Sequence, residues 1–215
     1  SEGAPRDGRR SCIVEPFTGA TIVDSLKGLF VPSDVIGKQY QKGMMGRDSA
    51  GMNWKMDQNI VNQTFGSYAT ATLSCATTTA TGFLSTGWAQ TSTIALTAAT
   101  ATAGLKQGDI IQIAGIYAVN PQNRSAYGSG KLRNFVVTAD VTVATSGTTA
   151  VTVSPAVITG GQFQNVTVLS TSATAVVTPF NNTGTTSPQN IVMHKNAFTL
   201  ATADLELPDG VVFAG

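Results

Sequence analysis

Two long stretches of this chain carry no charge. Val61 to Leu105 contains no Lys, Arg, Asp or Glu, and neither does Val141 to Met193. Both are filled with Thr, Ala, Ser, Val and Gly, a mixture that favours strands and turns over helices. Neither can cross a membrane as a helix, because Thr and Ser recur and no run approaches the ~20 apolar residues a span needs. Disordered chains combine high net charge with few β-branched residues. Here 13 Lys+Arg oppose 12 Asp+Glu, and Val and Thr abound. A β-rich module with Thr/Ala loops is what remains. Its strands lack charged gatekeepers, so closure into a barrel or a partner must cover their edges.

The stretch from Gly104 to Val143 organises that module. Ile110, Gln112 and Ala114 alternate with Ile111, Ile113 and Gly115, and Phe135-Val136-Val137 leads into Asp140-Val141-Thr142-Val143. Lys106-Gln107-Gly108-Asp109 is a tight-turn signal at its start. The polar, glycine-rich excursion from Asn120 to Lys131 separates the two apolar runs. A lone hairpin cannot bury its apolar face, so an antiparallel β-barrel or sandwich is expected. Its core is expected to include Ile111, Ile113, Val137, Val141 and Val153. Further strand signals fall at Ala71 to Cys75, Phe83-Leu84, Ser92 to Leu96, Thr149 to Val153, Val166 to Leu169 and Ala175 to Val177.

The chain ends read differently. Ser1 to Ile60 holds 8 basic and 7 acidic side chains. Ser11 to Val14 is a strand stopped by Glu15-Pro16. Ile22, Val23, Leu26, Leu29 and Phe30 then form one stripe of a helix from Thr18 to Phe30, with Thr18 or Thr21 as its cap. Ser33 caps a second helix over Asp34 to Lys42, and Met52 to Asp57 alternates as a strand. Charges return after Asn190, where Ile191-Val192-Met193 opens an extended segment running through Phe198-Thr199-Leu200 to Pro208. An α+β domain interrupted by an insert, with the chain leaving and returning at neighbouring points, accounts for this pattern. The boundaries expected are 1–63, 64–188 and 189–215.

No catalytic constellation is legible. His194 is the only histidine, and with two distant cysteines it cannot supply the three or four ligands of a zinc site. Gly-x-Ser-x-Gly is absent. Tyr127-Gly128-Ser129-Gly130-Lys131 fails the phosphate-loop pattern, with Ser125 where a glycine is required and Leu132 after the lysine. Asp204 and Glu206 read as a solvated strand end, and Arg6, Arg9 and Arg10 as a solvated or paired face. Asn62, Asn123, Asn165 and Asn181 match the glycosylation pattern, at a frequency this Asn- and Thr-rich composition produces by chance. Cys12 and Cys75, 63 positions apart, read as free thiols of a reducing compartment. Near-balanced charge gives no basis for electrostatic capture of nucleic acid. No catalytic, cofactor-binding or metal site is expected. The start lacks both Met and an apolar signal core, which reads as processing or an interior piece of a longer polypeptide.

Two blocks carry a resemblance. The first runs Ala4-Pro5, Asp7-Gly8, Val23-Asp24-Ser25-Leu26-Lys27-Gly28-Leu29-Phe30, Gly37-Lys38-Gln39-Tyr40-Gln41-Lys42-Gly43 and Asp57-Gln58-Asn59. The second runs Pro188-Gln189-Asn190-Ile191-Val192-Met193-His194-Lys195-Asn196-Ala197-Phe198-Thr199-Leu200 and Leu205-Glu206-Leu207-Pro208. With the central Gly108-Asp109 and Ile113 to Val119, their order resembles the coat proteins of P22-like short-tailed phages. The resemblance implies an HK97-like capsid A-domain segment interrupted by an inserted β-barrel. It implies a non-enzymatic shell subunit of hexamers and pentamers, with no cofactor and no membrane. It further implies assembly in the host cytoplasm with scaffolding protein and portal, and packaged DNA held without sequence-specific binding. Asn120, Arg124, Tyr127 and Lys131 would belong to a loop beside subunit neighbours. The family's charged intercapsomer loop corresponds to a stretch before Gly104 that has no charge here. The competing reading is a secreted or phage-borne adhesion module, with Trp54, Trp88, Tyr117 and Tyr127 as sugar-stacking faces and a Cys12–Cys75 bridge.

Overall fold

A computed structural model describes residues 5, 7–26, 51–68, 72–76, 83–99, 102–127, 130–168, 174–180 and 183–202. The chain divides into two units, one formed by residues 1–4 and 60–189, the other by residues 5–59 and 190–215. Among the described residues the structure is mostly β, with one helix.

The second unit holds a three-stranded sheet. Strand β1 (Arg10–Val14) pairs in parallel with β2 (Asn53–Met56) and antiparallel with β16 (Ile191–His194). Helix α1 spans Pro16–Leu26. It therefore starts before the expected Thr18, because proline at the first helical position sacrifices no needed donor and already has helical φ. Thr21 is not a cap: its hydroxyl donates to the Phe17 carbonyl at 3.0 Å, one turn back. Gly19 is the buried helical position and Val23 is exposed, so the expected apolar stripe does not face inward along its whole length. β16 stops at His194, where a turn begins (Ala197 N to His194 O, 2.9 Å), so the expected extended segment does not continue to Leu200. The helix expected over Asp34 to Lys42 and the segment from Leu205 to Pro208 lie outside the described residues.

The first unit is built on a closed ring. Strands β4 (Leu73–Ala76), β6 (Ser92–Ala98), β8 (Ile110–Ala118), β9 (Leu132–Val137), β11 (Thr149–Ser154) and β14 (Thr174–Pro179) pair in the order β8-β14-β4-β6-β11-β9, and β9 returns to β8. Every pairing in the ring is antiparallel. Six strands closed this way leave no ring edge open, which solves the problem posed by uncharged strands. β13 (Val166–Val168) adds to β8 outside the ring, and β7 (Ala103–Leu105) pairs with β10 (Val141–Val143). The latter separates Val141-Val143 from β9, where the sequence suggests one continuous run. A short parallel pair joins β5 (Phe83–Leu84) to β12 (Val157–Ile158).

Period-two alternation sends one face of each ring strand inward. Ile94, Leu96, Val151, Val153, Phe135, Val137, Leu73, Cys75, Ala175 and Val177 meet in one cluster with Ile111, Ile113 and Ile116. Val141 is only partly buried and packs against that cluster from outside. On β8 the alternation breaks. Ile111 and Ile113 are inward, then Ile116 and Ala118, because the β8–β9 register slips between Gln112 and Tyr117. Gly115 sits in that slip with φ of 83°. Five steps on β8, Gln112 to Tyr117, stand opposite two on β9, Asn134 to Leu132, and an odd excess of residues resets which side chains face the core. Gly115 therefore does not share a face with Ile111 and Ile113 as simple alternation predicts.

The chain enters and leaves this unit on adjacent strands. β3 (Asn62–Thr64) pairs antiparallel with β15 (Thr186–Pro188), and Gln189 N donates to Val61 O at 3.0 Å.

Two substitutions probe the ring. Ile113→Ala, at a position with no solvent exposure, is expected to cost ~2–5 kcal/mol in denaturant unfolding. Gly115→Val forces a β-branched residue into left-handed backbone and is expected to cost about 1–3 kcal/mol. A loss below about half a kcal/mol for Ile113→Ala contradicts its place in the core.

Candidate functional site

Two places in the 60–189 unit concentrate polar chemistry: the turn before β8 and the loop after it. In the turn, Gly108 takes φ of 93° and Asp109 N donates to Lys106 O at 3.0 Å. The Asp109 carboxylate has no solvent exposure. It accepts Lys106 N at 2.9 Å and Gly66 N at 3.1 and 3.3 Å. Gly66 belongs to the segment leading into the barrel, and its own carbonyl accepts Gly184 N at 2.9 Å from the segment leading out. The carboxylate thus ties the turn to the entering passage, and the Gly66 carbonyl links that passage to the one leaving. The approach leaves no room for a side chain: a Cβ on Gly66 would collide with the Gly104 carbonyl oxygen and lie 2.7 Å from Asp109 Oδ2. Gln107 N donates to Asp140 Oδ1 at 2.8 Å, and Gln63 Nε2 to Gln107 O at 2.6 Å.

Burial raises the Asp109 carboxyl above its ordinary value, against the lowering pull of the bonds from Lys106 and Gly66. Burial, helped by the Asp109 charge, pushes the nearby Tyr68 phenol up to about 12. Asp109 reads from sequence only as a turn residue. The available signal was its rarity: it and Asp140 are the only acidic residues between Val61 and Met193.

The loop after β8 holds the other group. Asn120 is half-buried and organises the turn: its N–H donates to Ser125 O (2.9 Å), its carbonyl accepts Arg124 N (2.8 Å) and its Oδ1 accepts Gln122 N (3.0 Å). Val119 and Ala126 form an isolated bridge beneath it. Arg124 is exposed, with φ of 56°, the one non-glycine residue with positive φ among those described. Tyr127 is half-buried, its N–H donating to Ala118 O at 3.3 Å, and the exposed Lys131 holds its ammonium 5.8 Å from the Tyr127 ring centroid. Asn120, Arg124, Tyr127 and Lys131 thus share one internally bonded loop, while Ile111, Ile113, Val137 and Val153 lie wholly inside the barrel.

The remaining candidates are placed as follows. His194 donates from Nε2 to both Asp7 oxygens at 3.2 Å and accepts Asn196 N at Nδ1, the tautomer this network requires. The Asp7 carboxyl is lowered, first by the Arg9 N–H and then by His194. Cys12 and Cys75 are free and buried; burial raises both thiols, Cys75 to about 11. Burial and the raised thiol values both disfavour the reactive thiolate. Asn165 donates to Ala156 O (2.6 Å) and accepts Ile158 N (3.0 Å), so its amide is committed to structure. Trp88 is exposed, while Trp54 and Tyr117 are half-buried. Among the described residues no group of His, Cys, Asp and Glu could hold a metal ion, and no helix is long and apolar enough to cross a membrane.

The P22 coat protein family, described as "P22 coat protein – gene protein 5", matches residues 1–212. No curated protein matches the chain.

Asp109→Ala removes the acceptor of the buried Gly66 N–H and the partly buried Lys106 N–H and is expected to cost ~2–4 kcal/mol. Gly66→Ala, which forces the segment off the carboxylate, is expected to destabilise in the same range. The folded carboxyl titrates above 3.8, so between the two values the folded state holds more protons than the unfolded one. The contribution of Asp109 is therefore greatest below the unfolded value and declines as pH rises through the folded one. Wild type minus Asp109→Asn, followed by unfolding at stepped pH, should show that downward slope; an upward slope would contradict it.

Proposed function

Because the chain belongs to the P22 coat protein family, whose members are structural proteins of the phage capsid, we propose that it is the major capsid subunit of a tailed bacteriophage. Copies of it form the hexamers and pentamers of an icosahedral shell enclosing DNA. The single observation that carries this reading is the family match across residues 1–212. Residues 1–63 and 189–215 are assigned to an HK97-like A-domain and residues 64–188 to the insertion domain. The antiparallel entry and exit strands, β3 and β15, support an insertion that leaves and returns at one point.

In this reading the protein contributes surface rather than chemistry. Shell formation draws on burial repeated by symmetry at every subunit contact. A closed barrel with a fully buried core is a rigid buttress that presents its loops without deforming. The Asn120–Lys131 loop is assigned as an intersubunit contact, because its own hydrogen bonds fix the shape before any partner arrives. Scaffolding protein and portal direct assembly in the host cytoplasm, the product is the virion, and DNA is held inside without base recognition.

Electron microscopy of the full-length coat polypeptide coexpressed with its scaffolding protein tests this reading. Closed, uniform shells are expected. Soluble subunits that never assemble would sink it.

A further inference from the structure

The 60–189 unit joins two pieces of very different construction. The six-stranded ring closes on itself without β3 or β15, which form a two-stranded sheet of their own. That ladder has three registered pairs. Its residues run exposed, half-buried, exposed along β3 and exposed, half-buried, half-buried along β15. Two strands paired this way are marginal by themselves in water. The inward side chains of the ring, by contrast, are buried together in one cluster.

Hydrogen bonds, rather than apolar contacts, hold the ladder and fasten it. Between its two passages, Phe65 N donates to Thr185 O at 2.9 Å, Gly184 N to Gly66 O at 2.9 Å and Gln189 N to Val61 O at 3.0 Å. The Thr64 and Thr186 hydroxyls meet at 2.9 Å. Toward the barrel, three fastenings land on one short stretch, Gly104 to Asp109. Gly66 N donates to the Asp109 carboxylate, Gly104 N to Ser67 O at 2.9 Å, and Gln63 Nε2 to Gln107 O at 2.6 Å. Val61 is 74% exposed, and Phe65, though buried, is not a member of the barrel cluster, which the chain first joins at Tyr68.

The three fastenings are not equal. Water can replace the Gln63 bond, which is exposed, whereas the bond from Gly66 is buried and ends on a carboxylate. The leaving passage is bonded to the entering one, and the entering one to the turn, so freeing Gly66 frees Gly184 with it. We propose that residues 61–67 and 184–189 are a releasable strap, which comes off the Gly104–Asp109 stretch as one unit, with Asp109 as its catch, while the ring stays closed. Local opening of this kind belongs where buried apolar contacts are few and backbone bonds lie near solvent. It gives the barrel connections to the rest of the chain that yield before the barrel does. The inference stands apart from the capsid reading.

Hydrogen exchange on the whole chain, followed residue by residue by NMR in low, stepped denaturant, tests it. The amides of Phe65, Gly66, Gly184 and Gln189 are expected to share one opening and to exchange at least about a hundredfold faster than the protected amides of β6, β8 and β11. A single protection level common to strap and ring overturns the proposal, and so do strap amides that exchange independently of one another. In Asp109→Ala the strap amides are expected to lose nearly all protection while the ring strands keep theirs. Strap amides that stay protected in this variant show that Asp109 is not the catch. A variant whose ring loses protection as well, or that does not fold, shows that ring and strap are one unit; either result overturns the inference.

Discussion

The return of β9 to β8 is the contact on which the barrel depends. Strands such as STIALTA and TAVTVS, taken singly, carry no charge to keep them apart from other chains. Arranged as an open sheet they would expose two rows of unpaired backbone groups. Closing the sheet pairs those groups internally and encloses Ile94, Leu96, Ile111, Ile113, Phe135 and Val137 in the same step. The inward face of β8 is reset near Gly115, whose left-handed backbone sits within the register slip between Gln112 and Tyr117.

The few charges follow from this. A closed barrel pairs its strand backbones internally, so each remaining charge has a place that can be read. Asp109 is spent inside, where its cost of burial is offset by backbone donors from two segments that must stay together. Arg124 and Lys131 are displayed at the far end of the strand that Asp109 begins. The two thiols are buried, and burial raises both above the ordinary thiol value. His194, which in another setting would suggest catalysis, completes a hydrogen-bonded corner with Asp7 and Asn196. Membership of a coat protein family is consistent with this distribution, since a shell subunit works through shape and contact.

Much of this was legible in the sequence, and the failures share a cause. Uncharged, β-branched runs dictate strands, and the strands at Leu73–Ala76, Ser92–Ala98 and Thr149–Ser154 lie where period and composition place them. The misreadings occur where a distant residue decides the outcome. Val141–Val143 looks continuous with β9 but leaves it to pair with Ala103–Leu105, some forty positions earlier. Asn62–Thr64 and Thr186–Pro188 have no strand character of their own and become a ladder only because each meets the other. Local patterning also missed the role of Asp109, since nothing near it in the chain announces that Gly66 will come within hydrogen-bond distance.

Sequence by itself determined that the middle of this chain is β, uncharged and obliged to hide its edges, because side-chain type and period-two alternation act over a few neighbouring residues. Tertiary structure alone decided which strands pair, where the register of β8 slips, that Val141 stays at the margin of the core, and that one carboxylate binds the segment entering the barrel to the turn before β8. Those choices depend on contacts between residues tens of positions apart, and such contacts become favourable only once the chain has closed on itself.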